Sequence, residues 1–192
     1  MKAINPNEIK DNFIELIGKE WIMAFREIKA EELQFNPFTK IGKEWMLVSA
    51  GDKEKFNMMT ASWGGVGVLW NRPVVFAFIR PERYTREFID ARNEFTITFL
   101  GPEHRKAHSI CGSKSGREID KVAATGLTPL FTEAGNPVFE EARLTLECKV
   151  VYKSEIEEAK FLDPTVFPRW YDEKNGNAHI VYIAEILNAW EK

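Results

Sequence analysis

The stretch Phe56–Trp70, FNMMTASWGGVGVLW, sets the strictest limit on what this chain can fold into. It belongs to the longest uncharged run, Phe56–Asn71, yet it holds Asn, Thr, Ser and three glycines and stops at Arg72-Pro73. It is therefore no membrane span. β-Favouring Phe56 and Thr60 open it as a strand. Small residues, Thr60-Ala61-Ser62, then stand beside the large flat Trp63 and lead into Gly64-Gly65-Val66-Gly67. A strand so short of bulk lets another backbone, or a planar ligand, approach its amides. Two readings stay open on these residues alone: a bulged core strand with a glycine turn, or one wall of a ligand site.

The flanking chain supplies more strands. Met46–Ala50 and Phe56–Trp63 are joined by the polar loop Gly51–Lys55, a hairpin signal. Val74–Ile79 is continuously apolar, as for a strand buried on both faces. Leu69–Ile79 reads as strand continuing around Pro73. Phe95–Leu100 alternates cleanly, and so does Leu144–Lys153, with Leu144, Leu146, Cys148, Val150 and Tyr152 on one face. His179–Leu187 is apolar on both faces, which makes it central or covered by a second subunit.

Short helices fit between these strands: Thr85–Arg92 with Thr85 as N-cap, Pro102–Cys111 stopped by Gly112, and Glu118–Thr125 closed by Gly126. Ser154–Asn177 is polar and irregular. Regular βαβ alternation is absent, which disfavours a doubly wound sheet. The expected fold is mainly β with short inserted helices, a barrel with helical excursions.

An internal repeat precedes all this. NFIELIGKEW at Asn12–Trp21 is echoed by NPFTKIGKEW at Asn36–Trp45 at constant offset. Two copies are too few for a solenoid. The reading is a duplicated leader, with 1–35 an N-terminal extension and 36–192 the main domain. Trp21–Phe25 reads as a helix or an extra strand. The first copy packs outside the fold, or serves as a lid or a partner-swapped arm.

Composition narrows the function classes. A length of 192 residues buries a sizeable core in one domain, and a net charge of −3 without a Lys/Arg run argues against nucleic acid as partner. The N-terminus lacks the basic-then-apolar pattern of a signal peptide. Cys111 and Cys148 form no C-x-x-C and read as free thiols, so a cytoplasmic, reducing location is expected.

Gly65-Val66-Gly67 does not open a helix, so a dinucleotide fingerprint is rejected; there is no phosphate-binding G-x-x-x-x-G-K-[ST] and no G-x-S-x-G. His104 and His108 are i, i+4 but lack a third ligand, and read as solvated helix-face histidines rather than a metal site. Arg80-Pro81-Glu82-Arg83-Tyr84-Thr85 leads guanidinium groups, a hydroxyl and free amides to a helix N-terminus, as an anion site requires. Ser113-Lys114-Ser115-Gly116-Arg117, with Lys121 further on, offers the same chemistry.

In this order FNMMTASWGG, RPERYTREFI and CGSKSGREIDKVAATGL resemble the flavin reductase-like family, most closely its flavoredoxin-type branch, from about Asn36 to the C-terminus. The resemblance implies an FMN-binding split β-barrel, a homodimer with the flavin at the subunit interface, and an oxidoreductase that passes hydride from NAD(P)H to flavin. It also leaves room for a flavoredoxin-like carrier that holds FMN tightly and exchanges electrons with a redox partner protein. By the same resemblance Asn57, Met59, Thr60, Ala61, Ser62 and Trp63 lie along the isoalloxazine, with Asn57, Thr60 and Ser62 bonding its polar edge. Arg80, Arg83, Tyr84 and Thr85 serve the ribityl-phosphate tail. Ser115, Gly116, Arg117 and Lys121 form a second phosphate-side motif. His179 matches a family histidine near the flavin. This chain has Ala178 and Ala184 where the family often has Asp and Gly, so for His179 a positioning role is the expectation. Phe167, Trp170 and Tyr171 would decide between the two activities: a closed aromatic cover favours the carrier, an open slot favours nicotinamide entry.

Overall fold

The computed structural model of the chain describes residues 25–192. The first copy of the repeat, Asn12–Trp21, lies outside the described residues. The strands are β1 Arg26–Ile28, β2 Met46–Gly51, β3 Phe56–Ala61, β4 Gly64–Leu69, β5 Arg72–Ile79, β6 Glu94–Leu100, β7 Pro129–Phe131, β8 Pro137–Phe139, β9 Ala142–Glu155 and β10 Ile180–Glu191. Between them lie α1 Pro37–Thr39, which runs into a π-helical turn at Lys40–Glu44, then α2 Thr85–Arg92, α3 Arg105–Ser113, α4 Lys121–Thr125 and α5 Val166–Trp170. The fold is mainly antiparallel β with short inserted helices, as expected.

The main sheet runs β3-β2-β6-β9-β10-β5-β4, with β1 added to the far end of β10 and β7-β8 forming a separate hairpin. Its core joins Met46, Val48, Val75, Ala77, Ile79, Phe95, Ile97, Phe99, Leu146 and Tyr182, all fully or nearly fully buried. The two edge strands, β3 and β4, are neighbours in sequence, separated only by Ser62-Trp63, yet they are not paired with each other. The sheet therefore curls round without closing, and its open seam starts at Ser62-Trp63.

Glycine 64 is required at this seam. A Cβ there would lie 2.7 Å from the Phe76 carbonyl oxygen and 3.0 Å from the Met46 methyl carbon, so only glycine lets β4 settle against β5 and β2.

Several expectations change for physical reasons. The glycine run is a strand, β4, and not a turn. The turn comes later, at Trp70-Asn71, whose φ values of 52° and 60° are the left-handed pair that reverses a hairpin. Strand thus does not continue through 69–79. β5 alternates rather than being buried on both faces: Val74, Val75, Ala77 and Ile79 are buried, while Phe76 and Phe78 are half-buried. The Leu144–Lys153 face breaks beyond Val150, because register shifts against β10 leave Val151 and Leu187 without ladder partners. These bulges turn Val151, Tyr152 and Leu187 outward. Helix α3 runs through Gly112, Tyr84 rather than Thr85 is the N-cap of α2, and α4 starts late because Asp120 caps it through Ala123 N–H. β10 is central, between β9 and β5.

Candidate functional site

Two adjoining depressions lie along the seam. The first, about 240 Å³, is lined by Met59, Thr60, Ala61, Ser62, Trp63, Phe78, Arg80, Arg83 and His179. The second, about 150 Å³, is lined by Asn57, Met59, Glu82, Arg83, Tyr84, Thr85, Gly112, Ser113, Lys114, Ser115, Gly116 and Lys121. Met59 and Arg83 belong to both, so β3 forms one continuous floor. Every residue expected at the site lines one or both, except Arg117. Its guanidinium ion-pairs with Glu87 and lies 4.4 Å from the Tyr84 ring centroid, where it buttresses Tyr84 from outside.

The cations are held more tightly than free anion ligands would be. Arg83 donates to the carbonyls of Cys111 and Gly112, each at 2.8 Å, and Lys121 donates to Met58 O at 2.7 Å and Cys111 O at 3.2 Å. Both therefore satisfy the carbonyl end of α3, where positive charge is favoured. Burial pushes the Lys121 ammonium down to about 8, with Cys111 opposing and Arg83 adding to the shift. Burial also lowers Arg83.

Arg80, expected with the tail-side residues, lines the first depression and not the second. It donates to Asn177 O at 2.6 Å and Trp170 O at 3.1 Å, and its guanidinium carbon is 5.3 Å from the Tyr171 ring centroid. Glu82 accepts from the Asn177 N–H and side-chain amide, so the Arg80–Glu82 pair pins both ends of the 170–177 segment. Against it, Trp63 meets Trp170 edge-on with centroids 5.1 Å apart. His179 lies 5.0 Å from Trp63, and its Nδ1 is 3.1 Å from the Tyr171 hydroxyl. Burial, with Arg80 adding, pushes His179 down to about 4, so it is neutral near pH 7.

The aromatic segment does not roof the site. Phe161, Phe167 and Tyr171 pack on one another, and Trp170, which meets Trp63 edge-on, does not line the first depression. His108 is not solvated as expected: it is buried, and Thr60 contacts it through Oγ. His104 sits in the turn before α3. Among the described residues no cluster of three His, Cys, Asp or Glu is arranged to hold a metal, and no helix is long and apolar enough to cross a membrane. Both cysteines are buried free thiols.

Sequence reasoning missed Phe78 and Gly112 as lining residues, and gave no separate role to Glu82, Ser113 and Lys114, which stand inside the two anion motifs it named. Phe78 was hidden in an apolar run whose exposed face a period of two does not reveal. Gly112 adjoins the second motif.

The donor set fits a planar group carrying an anionic tail. Asn57 Nδ2 donates to Thr85 Oγ1 at 2.9 Å, and Gly116 lies flat on this amide: a Cβ there would be 2.0 Å from Asn57 Oδ1. That glycine cradle, the Ser115 hydroxyl and the Lys121 ammonium line the second depression, as phosphate oxygens would require. The first depression offers strand backbone, one indole and one neutral imidazole, which suit a flat ring.

Comparison with known proteins agrees. The flavin reductase like domain family matches residues 38–192. Flavoredoxin of Desulfovibrio vulgaris (Miyazaki F) is 25% identical, with 77% of this chain and 69% of that chain covered at a TM-score of 0.59. An FMN-binding domain of a flavin reductases-like enzyme from Shewanella baltica is 22% identical over 87% of this chain and 76% of that one, at a TM-score of 0.61. Nitrilotriacetate monooxygenase component B from Bacillus cereus is 18% identical over 98% and 80%, at 0.58. No curated protein matches the chain. With a curled, unclosed antiparallel sheet, a site at its seam and a family match over 38–192, the chain belongs to the flavin reductase like family and has its split-barrel fold.

Proposed function

We propose that the chain binds FMN and works as an FMN-dependent oxidoreductase of the flavin reductase type, with NAD(P)H as hydride donor. The observation that carries this reading is the pair of depressions sharing Met59 and Arg83: a ring-sized space on β3 joined to a smaller one built of a glycine cradle, hydroxyls and a lysine. When bound, FMN supplies a ring that accepts hydride and passes electrons on. Thr60 and Ala61 of β3, Ser62 and Trp63 just past it, and His179 would hold the ring. Asn57, Thr85, Ser115, Gly116 and Lys121 would hold the tail. Orientation is the chain's contribution. His179 is neutral and bonded to Tyr171, and Lys121 is tied to backbone carbonyls, so neither is poised to exchange a proton with substrate.

The exposed apolar residues Val68, Trp70 and Tyr152 on and beside edge strand β4 support a homodimer, in which a second copy completes the wall of the seam. Buried free thiols suit a reducing, cytoplasmic setting. The likeness to a flavoredoxin favours a second reading, a carrier that holds FMN and trades electrons with a redox partner protein. The first depression has no lining residue from 161–177, which favours an open slot and the first reading. Anaerobic stopped flow of the FMN-loaded protein with NADH and with NADPH separates them. Rapid loss of the visible flavin absorbance is expected with one of the two nucleotides. No loss at millimolar nucleotide sinks the reductase and leaves the carrier, and failure to bind added FMN sinks both.

A further inference from the structure

Thr60 lines the first depression, and the protein side of its hydroxyl is fully engaged. Its Oγ1 is 2.7 Å from the carbonyl oxygen of His108 and 3.3 Å from Nδ1 of the same residue. A hydroxyl has one proton and a carbonyl only accepts, so the short bond takes that proton. Nδ1 must then donate in the second contact. This places the imidazole proton on Nδ1 and leaves Nε2 bare, and Nε2 is the ring nitrogen that is buried without a hydrogen-bond partner among the described residues. The other tautomer would bury an orphaned N–H, which folded proteins avoid more strictly than an unused acceptor.

The ring has little freedom to change this. His108 is 2% exposed and meets Trp45 edge-on with centroids 6.1 Å apart. Arg105 covers the indole from 3.2 Å and donates to Lys43 O at 2.7 Å, fixing Trp45 in turn. Burial, with Arg105 and His104 adding, holds His108 down at about 4, so it stays neutral near pH 7.

We propose that His108 is a positioning residue for this site: its carbonyl and its Nδ1–H together lock the Thr60 hydroxyl as an acceptor towards the depression, so the ring edge opposite must present an N–H. The proposal rests on the FMN reading above. On the polar edge of the oxidised flavin ring the one N–H is the imide at N3, so Thr60 reads that group. A hydroxyl left free to rotate would meet an N–H or a carbonyl equally well. This one discriminates.

Two measurements test it. Nitrogen-15 NMR of the apo protein should show His108 neutral and protonated at Nδ1; a proton on Nε2 overturns the lock whatever the ligand. FMN and N3-methyl-FMN are then titrated into the parent, Thr60→Ser, Thr60→Val, His108→Asn and His108→Leu. The parent, Thr60→Ser and His108→Asn, whose amide replaces Nδ1–H, should prefer FMN by about tenfold. Thr60→Val should lose most of that preference, and His108→Leu, which keeps the carbonyl but removes the Nδ1–H, should lose only part of it. An unchanged preference in Thr60→Val overturns the proposal while leaving the FMN reading intact. A parent that binds neither flavin defeats the FMN reading, and the tautomer measurement still decides the lock. If His108→Leu does not fold, the parent tautomer and the Thr60 pair carry the test alone.

Discussion

Replacing Gly116 by Ala adds one carbon to the floor of the second depression, and its effect can be worked out from Asn57. The new Cβ would stand 2.0 Å from Oδ1 and 2.8 Å from Cγ of that side chain. Turning the amide about χ2 moves Oδ1 but not Cγ, so the whole side chain must shift. Asn57 is 6% exposed, Thr85 is fully buried, and the 2.9 Å bond between them would break. Leaving such buried groups unpaired costs about 1–3 kcal/mol. Against this, an Ala for Gly change at a tolerated backbone position gains about 0.4–1 kcal/mol through the unfolded chain. The contact wins, and a net loss of about 1–2 kcal/mol lowers Tm by roughly 2–8 °C in a chain of this size. Urea or thermal unfolding of the apo protein measures it. The decisive arm is the double variant: in an Asn57→Ala background the obstruction is gone, and Gly116→Ala should then be neutral or slightly stabilising. An undiminished penalty in that background would refute the contact argument, as would a single variant as stable as the parent. FMN affinity, measured alongside, should fall at least tenfold in Gly116→Ala if the cradle holds phosphate.

Arg83→Ala and Lys121→Ala should each weaken FMN binding by about 1–3 kcal/mol, and each should also destabilise the apo protein by a similar amount, because the carbonyls of Met58, Cys111 and Gly112 lose their donors; unchanged apo stability by urea titration would mean that the α3 carbonyls do not need them. Acid should destabilise the fold between about pH 6.5 and 4. The native state refuses protons that unfolded His108 and His179 accept there, so their stabilisation is full above 6.5 and fades as pH falls, on the order of 3 kcal/mol for each histidine. A urea midpoint that stays flat across this window in the parent, or falls equally in a His108→Asn, His179→Asn double variant, would contradict the buried neutral state.

The sequence carried the site further than it carried the sheet. Apart from Phe78 and His179, residues that meet in the two depressions come from short motifs, and each motif is continuous in the chain: 57–63 along β3 and just past it, 80–85 entering α2 and 112–121 from α3 to α4. Local chemistry such as a glycine beside a serine, or paired arginines before a helix, is legible without knowing the fold. What was not legible depends on partners distant in sequence. The glycine run looked like a turn because Gly64 is explained only by the Phe76 carbonyl and Met46, which β5 and β2 bring to it. The alternation in β9 failed past Val150 because a bulge is a property of the pairing with β10, not of either strand. His108 looked like a surface residue since its helix face is set by how α3 docks on β3.

The same docking explains why the site and the fold cannot be separated here. A curled sheet whose edges at β3 and β4 are unpaired among the described residues needs something to hold the seam. On the β3 side that task falls to the end of α3: Lys121 ties Cys111 O to Met58 O, Arg83 ties the last turn to the 80–85 segment, and Thr60 ties β3 to His108. On the β4 side Trp63 is held by Trp170 and His179, and Arg80 holds the segment that carries Trp170. The side chains facing the depressions are thus the ones that bridge the seam. A barrel closed by hydrogen bonds would have buried these groups in its ladder. Leaving the seam open exposes strand amides and flat rings to a ligand, and it requires polar residues to satisfy the helix ends beside it. Those two requirements select the same residue types, which is why motifs that read as ligand chemistry in the sequence are also the ones that keep the sheet in place.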